Sequence, residues 1–431
     1  MTNFSSFHFF SVVLRFKKMK FFEVAPPKKV FEVINSFSPV SEELIHIDDA
    51  LGRVISEDVF SPCDLPGFFR ASMDGYAVRA KDTFGASQSL PAILRIKGEV
   101  KMGEIPKIKV GEGEAVKIST GGMLPEGADG VVMIEYCHRI DEETIEVERA
   151  ISPFENVIAP DDDVKKGELV LKKGKRLRPQ DIGILAGLGI ASVKVYRKPK
   201  VAIISTGDEI VPIEKEPPPG KVRDINRYTL SAFCRSLFAE PVFLGICPDD
   251  FSRLKDLVEE GLRIADTVWI SGGSSVGTRD LTLKVFESIS DFRLLVHGIA
   301  ISPGKPTIIG TVKRKPVVGI PGHVASALIV AEVFMSRLLR RLSGEDPVQD
   351  PPKIEARMTR NIESAPGRED YIRVKLIEKD KQLYAEPIIG KSGLISTLVE
   401  ADGLVRVDMN KEGVYEGEKV EVIPFVSKGL W

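Results

Sequence analysis

The stretch Val268–Asp280 reads Val-Trp-Ile-Ser-Gly-Gly-Ser-Ser-Val-Gly-Thr-Arg-Asp, and a helical pattern follows it at Leu281–Ile289. A short apolar run that leads into glycines and serines indicates a strand, a loop and the start of a helix. Glycines let successive backbone N–H groups converge, and the helix dipole favours negative charge at that point. The loop therefore predicts binding of a phosphate or another oxyanion, although a tight strand-to-helix turn has the same composition. It matches neither of the two commonest nucleotide fingerprints.

The chain around this loop alternates between strand-like and helix-like patterns. The strand-like runs are Val201–Ser205, Val242–Ile246, Thr267–Ile270, Thr307–Ile309 and Val317–Ile320, and the helical patterns are Asn226–Phe238, Ser252–Ala265, Leu281–Ile289 and Val324–Leu342. Leu230, Phe233 and Leu237 would face inward from the first of these helices. The alternation predicts an α/β domain with a mainly parallel sheet covered on both faces. Ligands of such sheets bind at the carboxyl ends of the strands.

Polar residues follow the apolar runs five times in this domain. The clusters are Ser205–Glu209, Pro248–Asp250, Ser271–Asp280, Ser302–Pro306 and Pro321–His323. Lys305 and Arg279 can meet a phosphate directly, whereas the acidic residues need a cation between them and an anion. These acidic residues are Glu209, Asp249, Asp250 and Asp280. Mg²⁺ bridging carboxylates and phosphate oxygens is the simplest arrangement, although Asp280, and Asp249 or Asp250, could instead cap helices.

The remaining segments differ from the α/β domain. Residues 21–60 have a mostly helical pattern, residues 64–152 contain short strand-like runs among many glycines, and residues after Pro352 are again strand-like. The last segment predicts a small barrel or sandwich. Asp74-Gly75 has the composition of a hairpin turn.

Bulk properties restrict the class of protein. The chain has 431 residues, which predicts about three domains, and its 60 basic and 62 acidic residues argue against a nucleic-acid partner. Its apolar runs are too short for a membrane span. Four scattered cysteines without a C-x-x-C pair make a zinc or redox motif improbable and favour a cytoplasmic protein. Rare glutamine with abundant lysine and glutamate leans towards a thermophile. Residues 1–20 are expected to be a disordered or wrongly assigned extension, because Met19 opens a more ordinary start.

A set of motifs in fixed order identifies the family that the chain resembles. They are Ser-Met-Asp-Gly-Tyr-Ala at 72–77, Ile-Ser-Thr-Gly-Gly to Pro-Glu-Gly-Ala-Asp at 118–129, Ser-Thr-Gly-Asp-Glu at 205–209, Ser-Gly-Gly-Ser-Ser-Val-Gly to Asp at 271–280, Pro-Gly-Lys-Pro at 303–306, Ile-Pro-Gly at 320–322, and Gly-Arg to Tyr-Ile-Arg-Val at 367–374. Together they closely resemble the molybdopterin molybdenumtransferase family, relatives of the gephyrin E domain, over residues 21–425.

The resemblance implies an elongated multidomain fold of the α/β plus β class. It implies an elongated helical linker domain at 21–62 and 153–197 and a β domain inserted at 63–152. An α/β domain like molybdopterin adenylyltransferase would occupy 198–346, and a C-terminal β-barrel 347–431. It also implies a homodimer whose site is shared between subunits, with molybdopterin adenylyltransferase as the pathway partner.

The activity implied is insertion of molybdate or tungstate into adenylylated molybdopterin, with Mg²⁺ and release of AMP. Carried over by motif, the catalytic residues are Asp74, Thr120, Glu209, Asp249 and Asp280, of which Glu209, Asp249 and Asp280 would bind the metal. The cofactor-binding residues are Ser271, Gly272, Gly273, Ser274, Ser275, Gly277, Lys305, Pro321, Gly322 and Ser392. Asp163 is a weaker match.

The chain departs from the family pattern at three places. Ser302 stands where a basic residue is usual, Ile158 stands where an arginine is expected, and His323-Val324 replaces Asn-Pro. Loss of two positive charges would weaken anion binding by about 1–3 kcal/mol each, unless Arg279 compensates. A carrier or scaffold that binds molybdopterin without turnover is therefore an alternative. An adenylyltransferase is another, suggested by the α/β segment alone.

Overall fold

A computed structural model describes residues 24–272, 276–346, 348 and 350–425, and only the backbone of residues 276–280. The predicted extension at residues 1–20 lies outside this described part. The chain forms two compact units, of which one is Glu42–Tyr196 and the other is built from the chain on both sides of it. Within the described ranges, no helix is both long and apolar enough to cross a membrane.

The larger unit contains a six-stranded sheet. In spatial order its strands are Glu240–Cys247, Lys200–Thr206, Thr267–Gly272, Lys315–Ile320, Ile308–Val312 and Phe292–His297. The first four are parallel, and only Ile308–Val312 runs against its neighbours on both sides. The predicted, mainly parallel sheet is therefore confirmed. The sixth strand, Phe292–His297, was not predicted.

Helices cover both faces of this sheet. They are Asn226–Ser236, Phe251–Ile264, Val276–Glu287, and the consecutive segments Val324–Val330 and Ser336–Leu342, while Pro27–Asn35 packs beside the last of them. Side chains along a strand alternate between faces, so Ile203 and Trp269 enter one buried cluster and Ile204 and Val268 enter the other. Leu230, Phe233 and Leu237 are buried as predicted.

The single helix predicted at Val324–Leu342 is interrupted. Residues Ala331–Met335 form a π-helical turn between two α-helical segments. Phe334 and Met335 in this turn are completely buried. An apolar stretch buried on most sides carries no period that would distinguish the two helix types, so the sequence could not place this turn.

The C-terminal part of the same unit is a closed barrel. Its strands are Ile354–Met358, Glu369–Lys379, Gln382–Pro387, Gly403–Val407 and Lys419–Pro424, with a short pair Ile362–Glu363 and Gly413–Val414 and a short helix Ser396–Val399. The long strand Glu369–Lys379 pairs with both Gln382–Pro387 and Gly403–Val407, which closes the ring. Of the two architectures predicted, the barrel is therefore the correct one.

The smaller unit, Glu42–Tyr196, is mostly β. Its six-stranded sheet has the order Gly130–Met133, Gly75–Val78, Glu114–Ile118, Ala92–Val100, Thr144–Val147 and Cys137–Arg139; Glu42–His46, Ser192–Tyr196 and Val54–Ile55 form a second sheet, Arg70–Ala71 pairs with Val157–Ile158, Val59–Phe60 pairs with Leu169–Leu171, and Pro179–Gly187 is a helix. The prediction that residues 21–60 are mostly helical is wrong beyond Asn35. Glu42–His46 is a strand because it pairs with Ser192–Tyr196, a partner that is remote in sequence.

Candidate active site

The polar loops of the α/β sheet begin at one edge. Thr206 lies opposite both Cys247 and Gly272, and Ser271 lies opposite Ile320, so the four parallel strands end level with one another. Four of the five predicted clusters follow these ends, as expected. The fifth, at 302–306, instead follows a short strand that pairs with the barrel strand Glu369–Lys379.

An acidic cluster lies at this edge. Thr206 Oγ1 donates to Asp249 Oδ1 at 3.3 Å, and the Asp249 backbone N–H donates to Asp208 Oδ1 at 3.2 Å. Desolvation, followed by the charges of Asp208 and Glu209, raises the pKa of the Asp249 carboxyl above its ordinary value. Asp208, Glu209 and Asp249 form no ion pair within the described residues. The cluster therefore favours a bound cation, and its oxygen donors suit Mg²⁺.

Glu209 is positioned by the backbone before it. Gly207 has a φ of 144°, and an added Cβ there would lie 2.5 Å from a carboxylate oxygen of Glu209. Glycine is required because the conformation excludes other residues and the Glu209 carboxylate occupies the space of a side chain. Glu209 thereby lines a pocket in the same edge of the sheet.

This pocket, which we call the Asn226 pocket, has a volume of about 290 Å³. Its lining includes Ser205, Thr206, Glu209, Asp224, Asn226, Ser271, Gly272, Gly322 and His323. Asn226 Nδ2 donates to Ser271 Oγ at 2.7 Å and to the Gly322 carbonyl at 2.8 Å. Three predicted cofactor-binding residues, Ser271, Gly272 and Gly322, are thus brought together. Asn226 was not predicted, because at the start of a helical pattern it looks like an ordinary helix-initiating residue.

A second pocket, which we call the Lys305 pocket, has a volume of about 310 Å³. Its lining includes Ser302, Pro303, Gly304, Lys305, Pro321, His323 and Arg368. His323 Nδ1 and Ser392 Oγ lie 2.8 Å apart, which brings the predicted residue Ser392 to the same region. Lys305 and Arg368 give this pocket two cations, so it suits an oxyanion. Arg368 was quoted within a motif but was not predicted as a site residue.

Asp74 and Thr120 lie together in the smaller unit. Asp74 Oδ1 accepts from the Thr120 N–H at 2.7 Å and from Thr120 Oγ1 at 3.0 Å. The backbone hydrogen bond, with the hydroxyl as the second contribution, lowers the pKa of the Asp74 carboxyl. Asp74 therefore presents a fixed, ionised carboxylate at the surface. The hairpin-turn interpretation of Asp74-Gly75 is wrong, since Gly75 begins a strand that pairs with Glu114–Ile118 and Gly130–Met133.

Positive charges lie near two of the three departures from the family pattern. Arg368 lines the same pocket as Ser302. Arg70 lies directly opposite Ile158 in an antiparallel pair, where side chains point to the same face. Both regions therefore retain a cation although the residue named by the family pattern has changed.

Several predicted residues remain without a structural test. Gly273, Ser274 and Ser275 lie outside the described residues, and Gly277 and Asp280 belong to the helix Val276–Glu287 with their side chains undescribed. No group of three or more His, Cys, Asp or Glu side chains arranged to hold a metal occurs among the residues the structure describes. The predicted metal set of Glu209, Asp249 and Asp280 thus stays a prediction.

Comparison with known proteins agrees with this combination of domains and pockets. Three family models match: "MoeA N-terminal region (domain I and II)" at 25–189, "Probable molybdopterin binding domain" at 202–341 and "MoeA C-terminal region (domain IV)" at 355–425. These domains define a molybdopterin biosynthesis protein, with the α/β unit as its molybdopterin-binding part.

The similarity extends over almost the whole chain, which belongs to the MoeA family. The molybdopterin molybdenumtransferase of Haemophilus influenzae is 34% identical over 389 residues, which are 90% of this chain and 95% of the relative. Two solved MoeA structures from Pyrococcus horikoshii are 42% and 32% identical, with TM-scores of 0.77 and 0.76. Each alignment covers 94% of this chain, with 99% and 100% of the solved chains.

Proposed function

We propose that the protein is a molybdopterin molybdenumtransferase that acts in molybdenum cofactor biosynthesis. It inserts molybdate or tungstate into adenylylated molybdopterin, with Mg²⁺ and release of AMP. The observation that carries the proposal is the location of the Lys305 pocket and the acidic cluster at one edge of the α/β unit, with His323 lining both pockets. A carrier without turnover is not favoured, because curated relatives are named as transferases.

The two parts of this site have different tasks. Lys305 and Arg368 would hold the oxyanion, since cationic donors bind oxyanions through short, charge-assisted hydrogen bonds. Asp249 and Glu209, with Asp280, would hold Mg²⁺, which when bound neutralises charge on the phosphoanhydride. The P–O bond to AMP breaks, and the freed dithiolene sulfurs bond to the metal of the oxyanion. Positioning and charge stabilisation would supply most of the rate.

A second copy of the chain would complete the site. Asp74 and Thr120 belong to the smaller unit, and their surroundings expose apolar side chains. Phe69 stacks on Phe154 with ring centroids 5.7 Å apart, and Met73 precedes Asp74; these side chains are 40%, 57% and 42% exposed. Exposed apolar groups beside an ionised carboxylate are typical of a surface that another protein covers. This supports a homodimer with a shared site, supplied with adenylylated pterin by a molybdopterin adenylyltransferase.

AMP release from adenylylated molybdopterin tests the proposal. With Mg²⁺ and either molybdate or tungstate, wild-type protein should release AMP only when an oxyanion is present, and Asp280→Ala should lose this release. The ratio of the two rates gives the oxyanion preference. Tight binding of the adenylylated pterin with no release under either oxyanion would refute the transferase and select the carrier.

Asp249→Asn should remove a Mg²⁺-dependent gain in thermal stability. The raised pKa of Asp249 means that the unfolded state loses this proton at lower pH than the folded state. Stability therefore falls as pH rises from 3.8 towards the raised pKa, and Mg²⁺ should offset the loss once the carboxylate is charged. At tenfold Kd, Mg²⁺ should raise the Tm of the wild type by about 3–5 °C at pH 8, and by less at pH 5.

Melting curves with and without Mg²⁺ measure this effect. Asp256→Asn, an exposed change on the helix Phe251–Ile264, is the control and should keep the wild-type response. An equal Mg²⁺ response in Asp249→Asn and the wild type would exclude Asp249 as a ligand.

A further inference from the structure

Three buried polar atoms without a hydrogen-bond partner line the Asn226 pocket. They are Ser205 Oγ, Asp224 Oδ2 and Asn226 Oδ1, and they are three of seven such side-chain atoms within the described residues. The three residues are 2%, 3% and 9% exposed. Leaving a buried donor or acceptor unsatisfied is unfavourable, and folded proteins rarely do so without a functional reason. Three unsatisfied atoms in one pocket indicate that a ligand completes their hydrogen bonds.

The orientation of Asn226 is fixed by its other contacts. Its amide nitrogen donates to the carbonyl of Gly322, which can only accept, and to Ser271 Oγ. The nitrogen therefore faces these two groups, and the amide oxygen is the atom left towards the pocket. A flipped amide would place two acceptors against each other at 2.8 Å.

Asp224 is fixed in a similar way. Its Oδ1 accepts from the Arg227 backbone N–H at 3.0 Å, at the start of the helix Asn226–Ser236, and its own N–H donates to the Val211 carbonyl at 2.9 Å. The carboxyl group is thus held at one oxygen, and Oδ2 remains without a partner. The pocket presents two fixed acceptors, Asp224 Oδ2 and Asn226 Oδ1, and the adaptable hydroxyl of Ser205.

We propose that the Asn226 pocket recognises the 2-amino-4-oxopyrimidine edge of the pterin ring. This edge carries two neighbouring donors, the ring N3–H and the 2-amino group, which match two neighbouring acceptors. Adenine carries a single amino group flanked by ring acceptors, so it leaves one of the two protein acceptors without a donor. The inference rests on the proposed function for its substrate class, and it assigns the pterin to Asp224, Asn226 and Ser205, separately from the oxyanion in the Lys305 pocket.

Two pteridines that differ at the 2-position test the proposal. 6-Hydroxymethylpterin has a 2-amino donor, whereas 6-hydroxymethyllumazine has a 2-oxo acceptor, and both can be titrated by their fluorescence. The wild-type protein should bind the pterin at least about tenfold more tightly, which corresponds to one hydrogen bond to a charged group. Asp224→Asn should reduce or reverse this preference, because its amide can donate to the 2-oxo group while its oxygen keeps the contact with Arg227.

Control variants separate recognition from folding. Asp256→Asn should keep the wild-type preference, and Ser205→Ala should weaken pterin binding without reversing the preference. Equal binding of the two pteridines to the wild type would overturn the proposal. Equal loss of both in Asp224→Asn, with a lower Tm, would reduce Asp224 to a helix-capping role.

Titration with AMP distinguishes the other part of the substrate. If Asp224→Asn weakens AMP and leaves the pteridine preference unchanged, the pocket takes adenine and the proposal is wrong. Failure of the inference and failure of the proposed function are also separable. Oxyanion-dependent AMP release with no pteridine preference keeps the transferase and refutes the pocket assignment, while the reverse result keeps the assignment and refutes the transferase.

Discussion

Lys305→Ala is expected to lower oxyanion-dependent AMP release by about 10²–10³-fold, because removal of one donor from a preorganised oxyanion site has an effect of this size. Lys305 lines its pocket beside Arg368, and its ammonium makes no ion pair within the described ranges, so its charge is available to a ligand. The loss should appear as weaker dependence on molybdate or tungstate, measured as AMP release against oxyanion concentration. Lys305→Arg should restore part of the activity.

Lys284→Ala is the matched control for this change. Lys284 is exposed on the helix Val276–Glu287, so its removal alters the net charge equally without touching either pocket. A similar decrease in Lys284→Ala would attribute the effect to overall charge. Unchanged oxyanion dependence in Lys305→Ala would remove Lys305 from the site.

Asp74→Asn is expected to lower turnover by about 10²–10⁴-fold while leaving the fold intact. Asparagine retains the oxygen that accepts from the Thr120 N–H and hydroxyl, so the local geometry persists and only the charge is lost. Equal melting temperatures with a large fall in AMP release would show that the carboxylate itself acts in the reaction. Asp141→Asn is the control, since Asp141 is another exposed aspartate held by a backbone N–H.

The pH dependence distinguishes Asp74 from other titrating groups. Its lowered pKa means that its stabilising contribution is present above pH 3.8 and is lost only as pH falls through the lower value in the folded state. Asp74 should therefore stay ionised from pH 5 to pH 8. A rate profile whose acid limb disappears in Asp74→Asn would contradict this assignment.

The parts of the fold that could be predicted are those with a strong local period. Strands such as Lys200–Thr206 and Thr267–Gly272 are continuous apolar runs, which parallel sheets buried on both faces require. Glu42–His46 could not be predicted, because a short run with two glutamates becomes a strand only through its pairing with Ser192–Tyr196. Phe292–His297 is likewise short, and it extends the sheet beyond the hairpin of Ile308–Val312 and Lys315–Ile320.

The candidate site divides along the same line. Ser271, Gly272 and Lys305 stand in recognisable motifs, so the sequence pointed to them directly. Asn226 acts through contacts to Ser271 and Gly322, which are 45 and 96 residues further along the chain, and no local pattern encodes such contacts. Arg368 joins Lys305 only because the barrel strand Glu369–Lys379 pairs with the short strand that leads into the 302–306 loop.

The two ends of the smaller unit leave a record of how the gene could have been assembled. Glu42 and Tyr196 face each other in neighbouring antiparallel strands, and the Arg197 N–H donates to the Ser41 carbonyl at 2.9 Å. Residues that flank 155 amino acids of sequence are therefore adjacent in space. A whole module can be spliced into, or exchanged at, such a point without threading the host chain anew, since its first and last residues already meet. Modular inheritance of this kind would let lineages vary the inserted unit while the pterin-handling unit keeps its sequence order.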